Sequence, residues 1–322
     1  MRPVFVVSAA LAAAAENGAR EDANRLRRMD RFGRTGFLAG TRAFAASGAP
    51  RPPGPDARSG VIVGTRHGCR PAITEHAQRL AAAARVEDLA PSVFAATVHN
   101  SVNGELAMAL GLGGVSETIV SGRTAGLEAL ILGALRAASS DADRVLVVAA
   151  EGVDDATREA WAEEKLAFGE RAAGVELVET GAAVLLQAEQ ISLNGEEKRE
   201  DRIRFVEGCL FFEPDARRAA ARFFEWAKEV EARGTDDAAP PAAVILCAPN
   251  YEDFLEGKEG DAPRIERFGA AGLYEIACEV SARRAHAAGL PSPHSPSKKI
   301  HLYVTRDITG AVAAVALELF SS

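Results

Sequence analysis

The stretch TIVSGRTAGLEALILGAL, residues 118–135, joins a short apolar run, ETIV, to a strongly apolar helical run through a tight turn, SGRT. Enzymes hold nucleophiles at such elbows because the first helical turn offers N–H groups without intrahelical partners and the positive end of a dipole. The tip of this elbow is Arg123, which is no nucleophile and is disfavoured at that end of a helix. Ser121 is a candidate nucleophile, but the sequence shows no base beside it. Two residues apart in GTRHGCRP, His67 and Cys69 could form a thiol–imidazole pair, and a second thiol, Cys247, lies in LCAPN. A His and a Cys at that spacing are more often incidental than catalytic. Another histidine, His99 in TVHNSVNG, reads either as facing a partner subunit or as an ordinary capping or core residue.

The elements that would position these residues alternate. Residues 3–11, 60–65, 143–152, 181–190, 203–212, 242–250, 298–307 and 311–320 are apolar runs of strand length, several with the unbroken apolarity of strands buried on both faces. Helical patterns fill the intervals: 26–48 closing on Gly48, 73–86, 101–112, the elbow run, 215–234 with an apolar stripe of helical period, and 266–289 closing on Gly289. Alternation of this kind predicts a layered α/β fold. It runs twice, without a residue-level repeat, and the charged ISLNGEEKRED at 191–201 is the expected seam. The expected halves are therefore 1–190, which carries the elbow, and 191–322.

Composition narrows the function. The chain has 322 residues, 48% hydrophobic and 25% charged, with a net charge of −8, which argues against a dedicated nucleic-acid binder. Its four cysteines are widely spaced and form no CxxC, so neither a zinc site nor a disulfide framework is expected, and a reducing cytoplasm is the expected compartment. No stretch approaches the length of a membrane span. The apolar start, MRPVFVVSAALAAAAENG, reads either as a short secretory signal or as a first buried strand, and the alternating pattern calls for the strand.

In its order of motifs the sequence resembles the β-ketoacyl synthase family of the thiolase superfamily. RRMDRFGRTGFLAG (27–40) is similar to the family's early RMDRF helix, and GVIVGT (60–65) to the strand before its active-site region. ALGLGGVSETIVSGRTAGLEAL (109–130) resembles the run around the family's reactive cysteine, and RVLVVAAEG resembles its GGAE strand, with Glu151 in place. ETGAAVLLQAEQ, FGAAGLYEIACEV and TGAVAAVALEL resemble the family's GEGAG, GAAG and GFGG segments. The resemblance implies a thiolase-like five-layered α/β/α/β/α sandwich made of two similar halves, and it implies no cofactor and no metal.

Family members condense acyl groups with a cysteine thiolate and two histidines. Carried over position by position, the cysteine falls at Arg123, the first histidine at Pro249 and the second at Glu266. GFGG becomes DITG, residues 307–310. The chain is also short for the family. The resemblance therefore implies a catalytically degenerate member, similar to a chain-length factor. Such a chain would act as a homodimer, or as a heterodimer with a ketosynthase, through the strand before the elbow, and an acyl carrier protein is a further expected partner in fatty-acid or polyketide-type biosynthesis. The alternative is an acyltransferase or condensing enzyme with a non-standard nucleophile from among Ser121, Cys69 (with His67) and Cys247. A further expectation is that Glu266 lies across the pocket and forms an ion pair with Arg123.

Overall fold

The computed structural model describes residues 1–13, 16, 18, 22–51, 53–85, 94–168, 176–189, 203–213, 215–234, 243–246, 265–266, 270–287, 298–306 and 311–320. The expected seam, Cys247, Pro249, the DITG segment and the Gly289 helix end lie outside them.

Eleven strands are described: β1 (Val4–Ala12), β2 (Ser59–Thr65), β3 (Ser116–Val120), β4 (Arg144–Glu151), β5 (Glu176–Leu177), β6 (Thr180–Ala188), β7 (Ile203–Phe212), β8 (Ala243–Leu246), β9 (Ile265–Glu266), β10 (Lys298–Arg306) and β11 (Ala311–Phe320). The helices are α1 (Ala23–Leu26), α2 (Arg31–Ala46), α3 (Arg70–Ala82), α4 (Ser101–Leu110), α5 (Ala125–Ala138), α6 (Asp155–Phe168), α7 (Ala216–Gly234) and α8 (Ala271–Ala287). The apolar start of the chain is the strand β1, set between β6 and β7.

Strand order is β3-β2-β4-β6-β1-β7-β11-β10-β8, and β1-β6-β4-β2 on one side of the β1–β7 junction corresponds to β7-β11-β10-β8 on the other, β3 having no counterpart among the described residues. β1 runs antiparallel to β6, β6 to β4, and β4 parallel to β2; β7, β11, β10 and β8 repeat these directions. At the junction Val4 faces Phe205, Phe5 faces Arg204 and Val6 faces Ile203, a local twofold centred on Phe5 and Arg204. Even the irregularities correspond: β1 bulges between Val6 and Ser8, and β7 skips Val206 in its register with β11. The two halves are thus one architecture used twice, although their sequences show no residue-level repeat.

Side-chain alternation builds the layers. In β4 and β6, Val145, Val147, Val184 and Leu186 join the cluster that includes α5 and α8, while Leu146, Val148, Ala183 and Leu185 join the one around α2 and α4. That is why these strands read as continuous apolar runs. α5 packs on β2 and β4 and also on β7 and β11, so it lies between the two halves with α8 beside it. On β7 the successive residues part: a Cβ on Gly208 would strike Ile131 of α5, whereas Glu207 accepts a hydrogen bond from Trp226 of α7. The result is a five-layered α/β/α/β/α sandwich.

Two local departures from the sequence reading bear on the site. The 26–48 pattern is not one helix: α1 ends at Leu26, and α2 begins afresh at Arg31 because the Asp30 carboxylate caps it through the Gly33 N–H at 2.7 Å. Ser47 then caps α2, and Gly48 follows in the left-handed region with φ 70°. Glu266 does not start a helix either; Ile265 and Glu266 pair in parallel with Glu176 and Leu177, and α8 starts at Ala271.

Candidate functional site

β3 delivers the elbow. Its last residues pass to Ser121, whose N–H bonds the Thr65 carbonyl at the end of β2, and the chain enters α5 after Thr124. Thr124 provides no side-chain cap. Instead Glu128, in the first turn of α5, accepts the hydroxyls of Ser121 (3.0 Å) and Thr124 on one oxygen. A carboxylate there is favourable for the dipole and ties both elbow hydroxyls to the helix. Ser121 thus donates to a carboxylate, which is a weak base for activating a hydroxyl.

Arg123 is 3% exposed. Its guanidinium lies over the ring of Trp161, 5.5 Å from the centroid. Trp161 belongs to α6, and with Val153 and Leu177 it forms a small buried cluster beside the main core. A guanidinium over an aromatic face gains electrostatic attraction from the ring quadrupole, which offsets part of its desolvation. Sequence reasoning missed Trp161 altogether, having assigned no helix to the run between β4 and β6. Two signals were available. Asp154 precedes the run and caps α6 through the Thr157 N–H and hydroxyl, at 2.7 and 2.5 Å, and DATREAWAEEKLAF carries its apolar residues at helical spacing.

Behind the elbow lies the turn from β2 to α3. Glu151, fully buried at the end of β4, accepts the N–H groups of Arg66 and His67 (3.1 Å for the latter) and the Thr65 hydroxyl at 3.2 Å. Thr65 Oγ1 in turn accepts the Gly68 N–H at 2.8 Å, and Gly68 takes φ 55°. Burial pushes the Glu151 carboxyl up to about 7, against the three hydrogen bonds that favour its ionised form. His67 is pushed down to about 4, first by burial and then by the charges of Arg66 and Arg70, with Arg123 contributing and Asp154 opposing. The site is therefore rich in guanidinium groups around an imidazole that stays neutral.

The candidate thiol Cys69 meets a histidine other than His67. Cys69 is fully buried at the start of α3, and its Sγ lies 3.5 Å from Nδ1 of His99, thirty residues further along the chain. Burial, helped by the nearby Asp30 charge, pushes the thiol up to about 11, so at neutral pH it is not a thiolate. His99 is thus a neighbour of a buried thiol. The backbone of Glu266 pairs with Leu177, which packs on Trp161 beneath Arg123. That brings the Glu266 backbone into the neighbourhood of the elbow; its side chain lies outside the described residues.

Among the described residues no group of His, Cys, Asp and Glu side chains could hold a metal ion, and no helix is long and apolar enough to cross a membrane.

The doubled sheet, the two helices between its halves and the strand–elbow–helix unit define a thiolase-like fold. Residues 9–190 match the family model of the β-ketoacyl synthase N-terminal domain, and the chain belongs to that family. No curated protein matches the sequence. Among solved structures, one titled the ishigamide ketosynthase/chain length factor superimposes with a TM-score of 0.72 at 17% identity, over 98% of this chain and 99% of its own. A second, AntDE:AntF (apo), described as a type II PKS acyl-carrier protein in complex with its ketosynthase bound to the hexaketide, gives 0.74 at 18% over 99% and 100%. A β-ketoacyl synthase from Burkholderia phymatum STM815 gives 0.71 at 13% over the whole of both chains. At such identities the likeness is one of fold.

Proposed function

We propose that this chain is a non-catalytic, chain-length-factor-like partner of an active β-ketoacyl synthase in fatty-acid or polyketide-type biosynthesis. The observation that carries the reading is Arg123, buried at the elbow against Trp161 in the position where the family's chemistry needs a thiolate. A guanidinium cannot accept an acyl group from a thioester. Cys69 is buried and protonated, and Ser121 is held by a carboxylate, so neither supports the alternative of a replacement nucleophile. In the same reading Pro249 and Glu266 are the degenerate histidine positions, and Glu266 supplies the counter-charge that lets Arg123 remain buried.

Two surfaces support the partnership. β3 ends the sheet, all of its residues keep solvent exposure, and Val120 is 48% exposed; it is the edge proposed to pair with the partner's equivalent strand. Second, in a chain of net charge −8, Arg25, Arg27, Arg28, Arg31 and Arg34 crowd into ten residues. Arg25 and Arg31 are ion-paired with Glu105 and Glu179, while Arg27 and Arg28 are exposed and offer their charge outward. This patch suits an acidic partner such as an acyl carrier protein.

The test is intact-mass spectrometry after incubation with malonyl- and acyl-carrier protein, alone and together with an active ketosynthase from the same source. We expect no adduct on this chain and loading of the ketosynthase within a one-to-one complex, with carrier-protein binding to that complex weakened at least tenfold by Arg27→Glu/Arg28→Glu. A stoichiometric acyl adduct on this chain would overturn the reading and name its nucleophile.

A further inference from the structure

We propose that the cavity between the α1–α2 turn and the head of α4 binds a small aliphatic carboxylate, its charged end on Arg28 and Ser101 and its chain on Met29 and Val102. The cavity has a volume of about 290 Å³ and shares no lining residue with the elbow. Met29, Val102, Ala95 and Ala96 make its apolar wall. Four polar side chains also line it: Arg28, Asp30, Ser101 and Glu105. The two acceptors among them are already engaged. Glu105 is ion-paired with Arg25, and Asp30 accepts the Gly33 N–H at 2.7 Å on Oδ1 while its Oδ2 is buried away from solvent. The two donors are open. Among the described residues the Arg28 guanidinium and the Ser101 hydroxyl have no hydrogen-bonding or ionic partner.

A cavity whose open polar groups are donors, one of them cationic, is complementary to an anion. The surrounding charge has the same sign: Arg25, Arg27, Arg28, Arg31 and Arg34 fall within ten residues, where Asp30 is the only acid. Asp30 opposes an anion, but its carboxylate is held against the first turn of α2, where the helix end offsets its charge. The apolar wall favours a hydrocarbon chain over an inorganic anion, because burying that chain adds to the ionic contact. Size sets the length. The volume lies at the small end for ligand pockets, which suits a chain of about six carbons and excludes a long acyl chain. The site is complete within one chain, so the inference does not depend on the partnership with a ketosynthase.

The chain has three methionines, Met1, Met29 and Met108, so methyl-labelled methionine gives Met29 its own NMR resonance, which Met29→Leu assigns. Titration of the intact chain with sodium hexanoate, against sodium chloride at equal ionic strength, should move the Met29 methyl saturably. The methyl of Met108, 66% exposed on α4, should stay in place. A charge-assisted hydrogen bond is worth about tenfold in affinity, so Arg28→Gln should weaken hexanoate by about that factor. Hexan-1-ol, which keeps the chain and lacks the charge, should also bind about tenfold more weakly. Arg28 is exposed, so its replacement leaves the fold intact. A Met29 methyl that hexanoate does not move would overturn the proposal. So would an equal response to hexanoate, hexan-1-ol and hexylamine, or undiminished hexanoate binding by Arg28→Gln.

Discussion

The elbow depends on a place where a side chain is forbidden. Gly64 of β2, between Ile119 of β3 and Ala149 of β4, lies directly under the first turn of α5. A Cβ there would stand 2.3 Å from the carbonyl oxygen of Ala125, 2.7 Å from its carbonyl carbon and 3.1 Å from the Gly126 nitrogen. The nearest approach is about 1 Å inside ordinary contact, and the atoms struck are backbone, so no rotamer change relieves it. In Gly64→Ala the helix start must lift away from the sheet. Overpacking of this kind costs about 1–3 kcal/mol, and backbone-on-backbone overlap belongs at the upper end. At roughly 2 °C per kcal/mol for a chain of this size, a thermal melt followed by circular dichroism should fall by about 4–6 °C. Gly104→Ala is the internal control, because a Cβ at this position in α4 meets nothing within 4 Å. The same chemical change there should stabilise by about 0.5–1 kcal/mol, by removing unfolded-state freedom from a helical position. Opposite signs from one substitution would locate the constraint at the elbow. A Gly64→Ala protein melting within about 1 °C of wild type would refute the reasoning.

Trp161→Leu should remove the ring beneath Arg123; in a double-mutant cycle with Arg123→Met, a coupling of about 1–2 kcal/mol is expected, and a coupling of zero would mean that the stack contributes nothing. Asp143, hydrogen-bonded by Arg58 and Arg2, is held down at about 2, so its contribution is present above the ordinary carboxylate range and is lost as pH falls through about 2. Discounted for its partial exposure, Asp143→Asn should cost about 1 kcal/mol at neutral pH, with the gap to wild type narrowing toward pH 2 in acid-dependent urea melts; a gap independent of pH would exclude the linkage.

Much of the fold was legible because its strands are buried on both faces. Runs such as VLVVAA and AAVLLQA cannot belong to a one-sided sheet, and the structure divides each between two core clusters. The elbow was legible for a similar reason, since an apolar strand, a turn holding Gly122 and an apolar helix leave few alternatives. What escaped were relations between residues far apart in sequence. Cys69 meets His99 rather than His67, because Cys69 is buried at the head of α3 and the chain must run through 30 further residues before its neighbour arrives. Asp30 looked like a residue inside a helix, but its carboxylate ends one helix pattern and starts another. Trp161 was hidden because no helix was assigned to the run between β4 and β6, which holds the fourteen-residue α6.

The separation of scaffold from chemistry explains how the elbow can carry an arginine at all. The contacts that shape it are the Gly64–Ala125 approach, the Ser121 N–H to Thr65 carbonyl bond and the Glu128 carboxylate on two hydroxyls. None of them involves the side chain at position 123. A change there is therefore limited by the cost of burying what is put in, and not by the turn itself. For a guanidinium that cost is high in an apolar pocket, and it falls when an aromatic face lies beneath and a carboxylate stands nearby. Trp161 provides the first, and the second is the counter-charge proposed for Glu266. On this view Arg123 and the run between β4 and β6 form one unit. Restoring a cysteine at 123 without altering Trp161 should leave the thiol against an indole face with space once filled by a guanidinium, a stable protein that still carries no acyl group.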